Sequence, residues 1–298
     1  MRTAAIGIGS NSLRMLVADA YEGRLHRLRR YREGLRIFAA LDEQRNISEE
    51  MIAKACESVE AFRKEALSQG AEKVHLFATS AVRDAANQAV FLQALRNTTG
   101  LPMDILSGEE EARLSFLGAT EGERTGLIDI GGGSTEIAVG RGREIASAVS
   151  LQMGAVRLYR IHPICSVADA RIVVELAERI IEPQKARFLA LNTEGWVGVG
   201  GTFTTGAAFV KQQPWQQREN IHGFLITREA VTKALETLAP MPVEERMKLA
   251  YLQPQRADIA AHGFAILLAC MLQLQISGIS VSECGNLEGY LKQKYLLL

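Results

Sequence analysis

The sequence lacks the features that mark a membrane, secreted or thiolate-metal protein. None of its four cysteines has CxxC spacing, which argues against zinc sites, redox pairs and a disulfide framework. The longest apolar stretch, residues 264–274, contains Gln273 and is too short to cross a bilayer. The first twenty residues also lack the apolar core and cleavage site of a secretory signal. We therefore expect a cytoplasmic protein with reduced cysteines and no membrane partner.

The chain also lacks excess charge of either sign. It carries 34 basic and 34 acidic side chains, so no overall field would attract a nucleic acid, and we expect no DNA partner. With 298 residues, of which 47% are hydrophobic, the chain can bury a large core and is expected to form two domains.

Residues 125–140, with the sequence TGLIDIGGGSTEIAVG, contain the strongest local signal. Asp129 lies inside a short apolar run, and three glycines and Ser134 follow it. Glycines leave backbone N–H groups accessible to a phosphate, hydroxyls add donors, and a carboxylate at this point can take a divalent cation. The pattern indicates a phosphate cradle. The alternative is a hairpin whose glycines serve only a turn, with residues 137–139 as the returning strand.

A second copy of this pattern lies near the N-terminus. Residues 6–9 align with residues 128–131 at an offset of 122 (128 minus 6), and each copy runs into a small polar turn. In the first copy the turn contains Ser10, Asn11 and Ser12. The repeat predicts two similar α/β domains facing each other across a cleft, with the phosphates of a ligand between the two loops.

Residues 24–36 are rich in arginine and alternate well enough to predict further strands of a meander. Two interpretations stay open: a solvated strand face, or a basic lip for a polyanion. The arginines are Arg24, Arg27, Arg29, Arg30, Arg32 and Arg36.

The next segment predicts a helix capped by Ser48, a strand over residues 73–78 and a further helix capped by Asn87. Arg83 comes just after the end of that strand, where ligands of α/β domains lie. It could pair locally with Asp84, but its guanidinium is also suited to bind phosphate oxygens.

Residues 107–114 open another helix, and their acids can be told apart. Ser107 and Glu110 have the spacing of a capping box, and Glu109 is favoured by the helix dipole. Glu111 has no such local role, so it is the better candidate for a general base.

The second half predicts a helix capped by Ser166 and Asp169, and a third strand that ends in Gly200, Gly201 and Thr202. Further helices are predicted from residue 204, over 227–238 and 257–275, and after residue 286. Within them, His262 is either a satisfied core residue or part of a site.

Five segments together resemble the exopolyphosphatase and guanosine pentaphosphate phosphatase family, in order from residue 4 to about residue 290. The resemblance implies two ribonuclease-H-like domains of the actin and sugar-kinase superfamily around a central cleft. It also implies release of terminal phosphate from inorganic polyphosphate or guanosine pentaphosphate (pppGpp). The chain resembles the short form without the C-terminal helical extension, with domains at residues 1–120 and 121–298 and a last helix able to pack back on the first. A homodimer is left open. The segments are residues 5–12, 78–87, 107–113, 129–136 and 198–202.

The resemblance also implies roles for single residues. Glu111 matches the catalytic base, Arg83 a phosphate contact, and Asp129 and Glu136 the acids of a site for Mg²⁺ or another divalent cation. No serine or cysteine nucleophile stands beside a base, so direct attack by water is expected. The phosphate-binding set is Ser10, Asn11, Ser12, Arg83, Gly131, Gly132, Gly133, Ser134, Thr135, Gly200, Gly201 and Thr202.

Three positions depart from the family pattern. Gly7 stands where the family has an aspartate, Glu283 replaces another aspartate, and Leu287 replaces an arginine. We expect looser polar contacts and one cation-holding carboxylate fewer. A second function therefore stays open, that of a catalytically weak or inactive regulatory protein that binds phosphate or a nucleotide. The preference between polyphosphate and pppGpp also stays open.

Overall fold

A computed structural model of the chain describes residues 1–217 and 220–296. Within these ranges the chain forms eleven strands, eleven α-helices and two short 3-10 helices. The strands are β1 (Arg2–Ile8), β2 (Leu13–Tyr21), β3 (Arg24–Glu33), β4 (Lys73–Ala78), β5 (Met103–Ile105), β6 (Arg124–Ile130), β7 (Thr135–Arg141), β8 (Glu144–Leu151), β9 (Gly195–Val199), β10 (Leu225–Thr227) and β11 (Gly278–Ser282). The helices are α1 (Glu49–Ser68), α2 (Ser80–Arg83), α3 (Gln88–Thr99), α4 (Gly108–Ala119), α5 (Ala155–Ile161), α6 (Val167–Leu189), α7 (Gly201–Val210), α8 (Arg228–Leu238), α9 (Val243–Arg246), α10 (Ala260–Gln273) and α11 (Asn286–Tyr295).

The chain divides into two compact units. Unit 1 comprises Met1–Gly118 together with the C-terminal segment from Asn286, and unit 2 comprises Ala119–Gly285. All four cysteines are free thiols, as expected, and burial raises the pKa of Cys270 to about 12. In the described part of the chain, no helix combines the length and the apolar character needed to cross a membrane.

Unit 1 is built on a five-stranded sheet in the order β3-β2-β1-β4-β5. β2 is antiparallel to both β1 and β3, whereas β4 and β5 run parallel to β1. β1 is buried along almost its whole length, which explains its continuous apolar run. Phe77, Leu287 and Tyr290 belong to one core cluster of this unit.

Unit 2 repeats the arrangement in a six-stranded sheet, β10-β11-β9-β6-β7-β8. The strands β6, β7 and β8 form an antiparallel meander. β9 and β11 continue the sheet parallel to β6, and β10 adds an antiparallel edge. Each unit is thus a ribonuclease-H-like α/β domain with a mixed sheet. The predicted fold class, two similar α/β domains, is confirmed.

The sequence repeat is also a repeat of strand register. Gly7 lies opposite Arg14 in unit 1, and Asp129 lies opposite Glu136 in unit 2, so both partners keep the offset of 122. The parallel neighbour keeps it too, because Gly7 pairs with Phe77 and Asp129 pairs with Val199. The repeat therefore extends over three strands, one more than the sequence pattern indicated.

Several predicted elements need correction. The arginine-rich run forms one edge strand, β3, and not several, and Arg36 lies beyond it with a left-handed φ of 57°. The helix expected from residue 204 already begins at Gly201, and residues 257–275 form only the shorter α10 after a 3-10 turn at Pro254–Arg256. Asn87 does precede a helix, but its side chain hydrogen-bonds both the N–H and the carbonyl of Ile47 instead of capping.

Candidate active site

The glycine loop, residues 131–134, is the turn of the β6–β7 hairpin. Ile130 pairs with Thr135 across the hairpin, and the Gly131 N–H donates to the Ser134 carbonyl at 3.0 Å. The serine loop, residues 9–12, has the same closure in unit 1, where the Gly9 N–H donates to the Ser12 carbonyl at 3.0 Å. The glycines therefore form a hairpin turn, and a hairpin turn is compatible with a phosphate cradle, because its backbone N–H groups can remain accessible to a ligand.

The glycine loop is mounted on the start of α5. The Gly131 carbonyl accepts the Ala155 N–H at 3.0 Å, and the Gly132 carbonyl accepts the Val156 N–H at 2.9 Å. A trans peptide points its C=O and its N–H in opposite directions. The N–H groups of Gly132 and Gly133 are therefore directed away from α5, and they have no hydrogen-bond acceptor among the described residues. No sequence pattern predicted this contact between the glycine loop and α5.

Two buried carboxylates lie beside the glycine loop. Asp129 and Glu136 are opposite one another on β6 and β7, so their side chains share one face of the sheet. They are 6% and 1% exposed, and the Ser150 hydroxyl donates to Glu136 Oε1 at 2.7 Å. In the part of the chain that the structure describes, no group of three or more Asp, Glu, His or Cys forms a cation site. The donor set is this carboxylate pair.

The turn after β9 lies against Asp129. Gly200 has a φ of 97°, and a Cβ at this position would come within 2.8 Å of Asp129 Oδ1. Glycine is therefore required for both the backbone conformation and the approach of the carboxylate. Gly201 begins α7. The buried Thr202 hydroxyl faces α10, since a Cβ on Gly263 would lie 2.7 Å from Thr202 Oγ1.

The hydroxyls predicted to bind phosphate have different surroundings. Ser134 is buried, and the Thr135 hydroxyl donates to the Met153 carbonyl at 2.6 Å. In the serine loop, Ser10 Oγ lies 2.7 Å from Ser80 Oγ, and Asn11 Oδ1 is buried without a hydrogen-bond partner among the described residues.

The serine loop has a support of its own. The Ser10 carbonyl accepts the Phe38 N–H at 3.0 Å, and the Asn11 carbonyl accepts the Arg36 N–H at 3.1 Å. The peptide groups after Ser10 and Asn11 are therefore oriented as in the glycine loop, although an unrelated segment holds them.

Glu111 and Arg83 form an ion pair in unit 1. Arg83 Nη1 lies 3.3 Å from Glu111 Oε2 and donates to the Leu106 carbonyl at 2.9 Å, while Nε lies 3.5 Å from Asp84 Oδ1. Arg83 Nη2 is buried and has no hydrogen-bond partner among the described residues. Arg83 therefore contacts both acids, and not only the local Asp84.

The capping box predicted for the start of α4 is confirmed. The Ser107 N–H donates to Glu110 Oε2 at 2.7 Å, and the Glu110 N–H donates to Ser107 Oγ at 3.2 Å. Glu110 thus completes the capping box, whereas Glu111 points inward and is 7% exposed.

The departures at Gly7 and Leu287 occupy one place in unit 1. A Cβ on Gly7 would lie 2.8 Å from Phe77 Cζ and 3.3 Å from Leu287 Cδ2. The position that corresponds to the Asp129 side chain is thus filled by apolar atoms. The missing aspartate at Gly7 and the missing arginine at Leu287 are separate departures in the sequence, but in the structure the two residues lie against each other.

Comparison with known proteins gives concordant matches over nearly the full length. The model of the Ppx/GppA phosphatase family matches residues 16–297. Exopolyphosphatase 2 of Mycobacterium tuberculosis is 30% identical, with 97% of each chain covered. The crystallised PPX-GPPA enzyme of Aquifex aeolicus is 27% identical with a TM-score of 0.83, covering 98% of this chain and 99% of its own. An exopolyphosphatase structure from Cytophaga hutchinsonii, at 22% identity and a TM-score of 0.89 with 99% and 98% covered, shares the fold.

Proposed function

The chain belongs to the Ppx/GppA phosphatase family, and we propose that, as a hydrolase of phosphoric anhydrides, it releases terminal phosphate from inorganic polyphosphate or from pppGpp. The glycine loop beside the Asp129 and Glu136 pair carries the proposal. Outward N–H groups suit a phosphate, and a buried acid pair suits a cation that would accompany it. Polyphosphate is placed first because a relative with 97% coverage is named an exopolyphosphatase. The cytoplasmic location and the homodimer stay predictions from the sequence.

In the proposed reaction, Glu111 accepts a proton from the attacking water. The Arg83 guanidinium at 3.3 Å fixes the direction of this carboxylate, which would act as the base in its ionised form. Phosphoryl transfer to water needs positioning and charge stabilisation more than covalent help. Arg83 Nη2, which has no partner in the described part of the chain, supplies a further donor for a phosphate oxygen.

The residues present fit a divalent cation. Mg²⁺ in proteins is typically held by one or two carboxylates, with water and substrate phosphates completing its shell. Asp129 and Glu136 would hold it, and the hydrogen bond from Ser150 would orient Glu136. A cation bound there would neutralise charge on the phosphoryl oxygens.

The proposal is tested by measuring phosphate release from long polyphosphate, pppGpp and ATP, each with and without Mg²⁺. We expect turnover of polyphosphate that depends on the cation. Turnover of pppGpp alone would reassign the substrate. Binding of these ligands without any turnover would favour a regulatory protein.

We predict that Glu111→Gln removes hydrolysis and leaves ligand binding largely intact. A general base contributes roughly 10²- to 10⁴-fold in rate, and the amide keeps the shape of the side chain without its basicity. Steady-state kinetics and equilibrium binding measure the two effects separately. The matched control is Glu109→Gln, an exposed acid in the same first turn of α4. Activity of Glu111→Gln within a few-fold of the wild type would mean that Glu111 is not the base.

A further inference from the structure

The carbonyl groups of all three loop glycines are bound by one helix. α5 begins at Ala155, directly after Gly154, and its first three N–H groups donate to the Gly131 and Gly132 carbonyls. The third carbonyl, of Gly133, accepts a hydrogen bond from the side chain of Arg157, with Arg157 Nε at 2.6 Å. The same guanidinium donates from Nη2 to Gln152 Oε1 at 2.7 Å.

Each of these bonds sets the direction of the next N–H group. Because C=O and N–H point to opposite sides of a trans peptide, the three bound carbonyls direct the N–H groups of Gly132, Gly133 and Ser134 away from α5. Main-chain donors of α5 fix the first two peptides. The third peptide, between Gly133 and Ser134, is fixed by the Arg157 side chain at the point where the loop rejoins β7.

We propose that Arg157 is a positioning residue of the phosphate loop. Its Nε holds the Gly133 carbonyl and thereby directs the Ser134 N–H toward the phosphate that is transferred. This inference rests on the proposed function, in that it assigns the donor that completes the cradle. It differs from a direct role, in which the positive charge of Arg157 would contact the phosphate itself.

The covalent structures of glutamine and lysine separate these two roles. Glutamine carries an amide nitrogen at the same place along the side chain as Arg157 Nε, without a charge. Lysine keeps the charge but places its nitrogen one atom further out. A positioning role therefore predicts that Arg157→Gln retains more activity than Arg157→Lys, and a direct electrostatic role predicts the reverse order.

The experiment measures kcat and KM for polyphosphate hydrolysis by wild type, Arg157→Gln, Arg157→Lys and Arg157→Met. We expect Gln within a few-fold of wild type and Met reduced by about 10²-fold in kcat/KM, the loss that a misplacement of about 1 Å can cause. The loss should appear in both KM and kcat and be larger in kcat, because the Ser134 N–H also contacts the bound phosphate but is aimed at charge that develops in the transition state. Gln as damaging as Met, or Lys more active than Gln, would overturn the proposal.

Two further measurements separate this result from loss of folding and from failure of the proposed function. The control Arg124→Met removes another side-chain bond to a carbonyl, that of Leu191, at the start of β6, and it should leave kcat unchanged. Equilibrium binding of tripolyphosphate should rank the variants in the same order. If the wild type hydrolyses no substrate, the proposed function fails, and the order of binding still decides the role of Arg157. If Arg157→Met does not fold, the comparison of Gln with Lys remains.

Discussion

At the scale of single residues, Gly7 shows how a correct alignment can mislead about chemistry. The repeat aligns Gly7 with Asp129, which predicts a missing carboxylate that a single substitution would restore. In the structure, Phe77 and Leu287 occupy the place of that side chain. Leu287 is 280 residues away in sequence (287 minus 7), so no local pattern could have indicated the contact.

We therefore predict that Gly7→Asp by itself destabilises unit 1 and does not lower the Mg²⁺ requirement. The backbone of Gly7 is not left-handed, so the cost arises from overpacking, which is typically ~1–3 kcal/mol, and from an unpaired buried charge. Urea unfolding gives the stability, and a Mg²⁺ titration of activity gives the requirement. Leu287→Arg added to Gly7→Asp should recover part of the stability by pairing the new charge, with Leu287→Arg alone as the control. A lower Mg²⁺ requirement in a stable Gly7→Asp variant would contradict the steric account.

Sequence spacing predicted contacts best where a side chain binds the backbone of a residue a few positions away. The capping box of Ser107 and Glu110 was predicted from spacing and is present. The pairing of Arg83 with Glu111 was not predictable, because a strand, a helix and a loop separate the two residues in sequence. Asn87 also shows the limit: it was expected to cap a helix, but Ile47 offers it both a donor and an acceptor.

At the scale of elements, α5 is the part of the candidate site that the sequence did not reveal. Its short length and its lack of a capping side chain leave no signature, since the loop carbonyls satisfy its first N–H groups. The close approach of α5 to the glycine loop depends on Gly154, where a Cβ would overlap the Gly132 carbonyl and lie 2.5 Å from the Gly133 nitrogen.

We predict that Gly154→Ala displaces the glycine loop and lowers kcat/KM by about 10²-fold, because small misplacements of reacting groups have effects of this size. The Gly132 carbonyl and the Gly133 nitrogen cannot move aside easily for the added methyl group, since both belong to the backbone of the loop. Kinetics with polyphosphate gives the measurement, and far-UV circular dichroism checks folding. The control is Gly195→Ala, also in unit 2, where an added Cβ meets nothing within 4 Å. Wild-type kinetics for Gly154→Ala would show that α5 and the loop move independently.

The arginine-rich element, β3, is an edge strand whose side chains alternate between two faces. Arg30 makes an ion pair with Glu288 on α11, and Tyr31, one position on, bonds Glu65 on α1. A solvated face and a basic lip would each be a single surface, whereas the alternation along β3 divides the arginines between the two faces of the sheet. Arg32 lies opposite Arg14, which in turn lies opposite Gly7 next to the serine loop.

We predict that replacing both Arg32 and Arg36 by glutamine weakens binding of long polyphosphate more than of short polyphosphate. The difference should shrink as salt rises, because exposed charges are screened beyond a Debye length of about 8 Å at physiological ionic strength. Binding curves for two chain lengths at two salt concentrations provide the test. Arg24→Gln, opposite Tyr21 at the other end of the strand, is the control. Equal losses for both lengths would favour a role that does not involve the polyanion chain.

At the scale of the whole molecule, the repeat was the most informative signal. Two copies of a strand, a polar loop and a strand predicted two α/β halves, and both sheets have the same central order and register. The C-terminal helix has no counterpart in such a pattern. It belongs to unit 1 through contacts of Tyr290, which stacks on Phe77 and donates to Asp104 Oδ2 at 2.5 Å. Such contacts depend on side chains brought together only in the folded chain.

The stability of unit 2 should depend on pH through a histidine that the sequence left ambiguous. His262 is fully buried on α10, and its Nε2 lies 3.0 Å from the His162 carbonyl. Its Nδ1 has no hydrogen-bond partner in the described chain. Burial lowers the pKa of His262 to about 4, and the nearby Arg246 contributes in the same direction. The imidazole is therefore neutral in the folded state at neutral pH.

The sign of the effect follows from the two protonation states. An unfolded histidine has a pKa of about 6.5, so between pH 6.5 and pH 4 the unfolded chain binds a proton that the folded chain does not. The free energy of unfolding should thus be fully present above pH 6.5 and fall as the pH is lowered to about 4. The total loss should be on the order of 3 kcal/mol.

We predict that His262→Gln flattens this part of the stability profile. Glutamine can still donate to the His162 carbonyl but does not titrate, so the difference between wild type and variant isolates the histidine from the carboxylates that titrate at lower pH. Both tryptophans, Trp196 and Trp215, lie in unit 2, so urea unfolding followed by tryptophan fluorescence reports on this unit. Measurements at pH 7.5, 6, 5 and 4.5 should give curves for the two proteins that diverge only below about pH 6.5. Parallel curves throughout would mean that His262 is protonated in the folded unit, or that unit 2 opens locally to admit the proton before it unfolds.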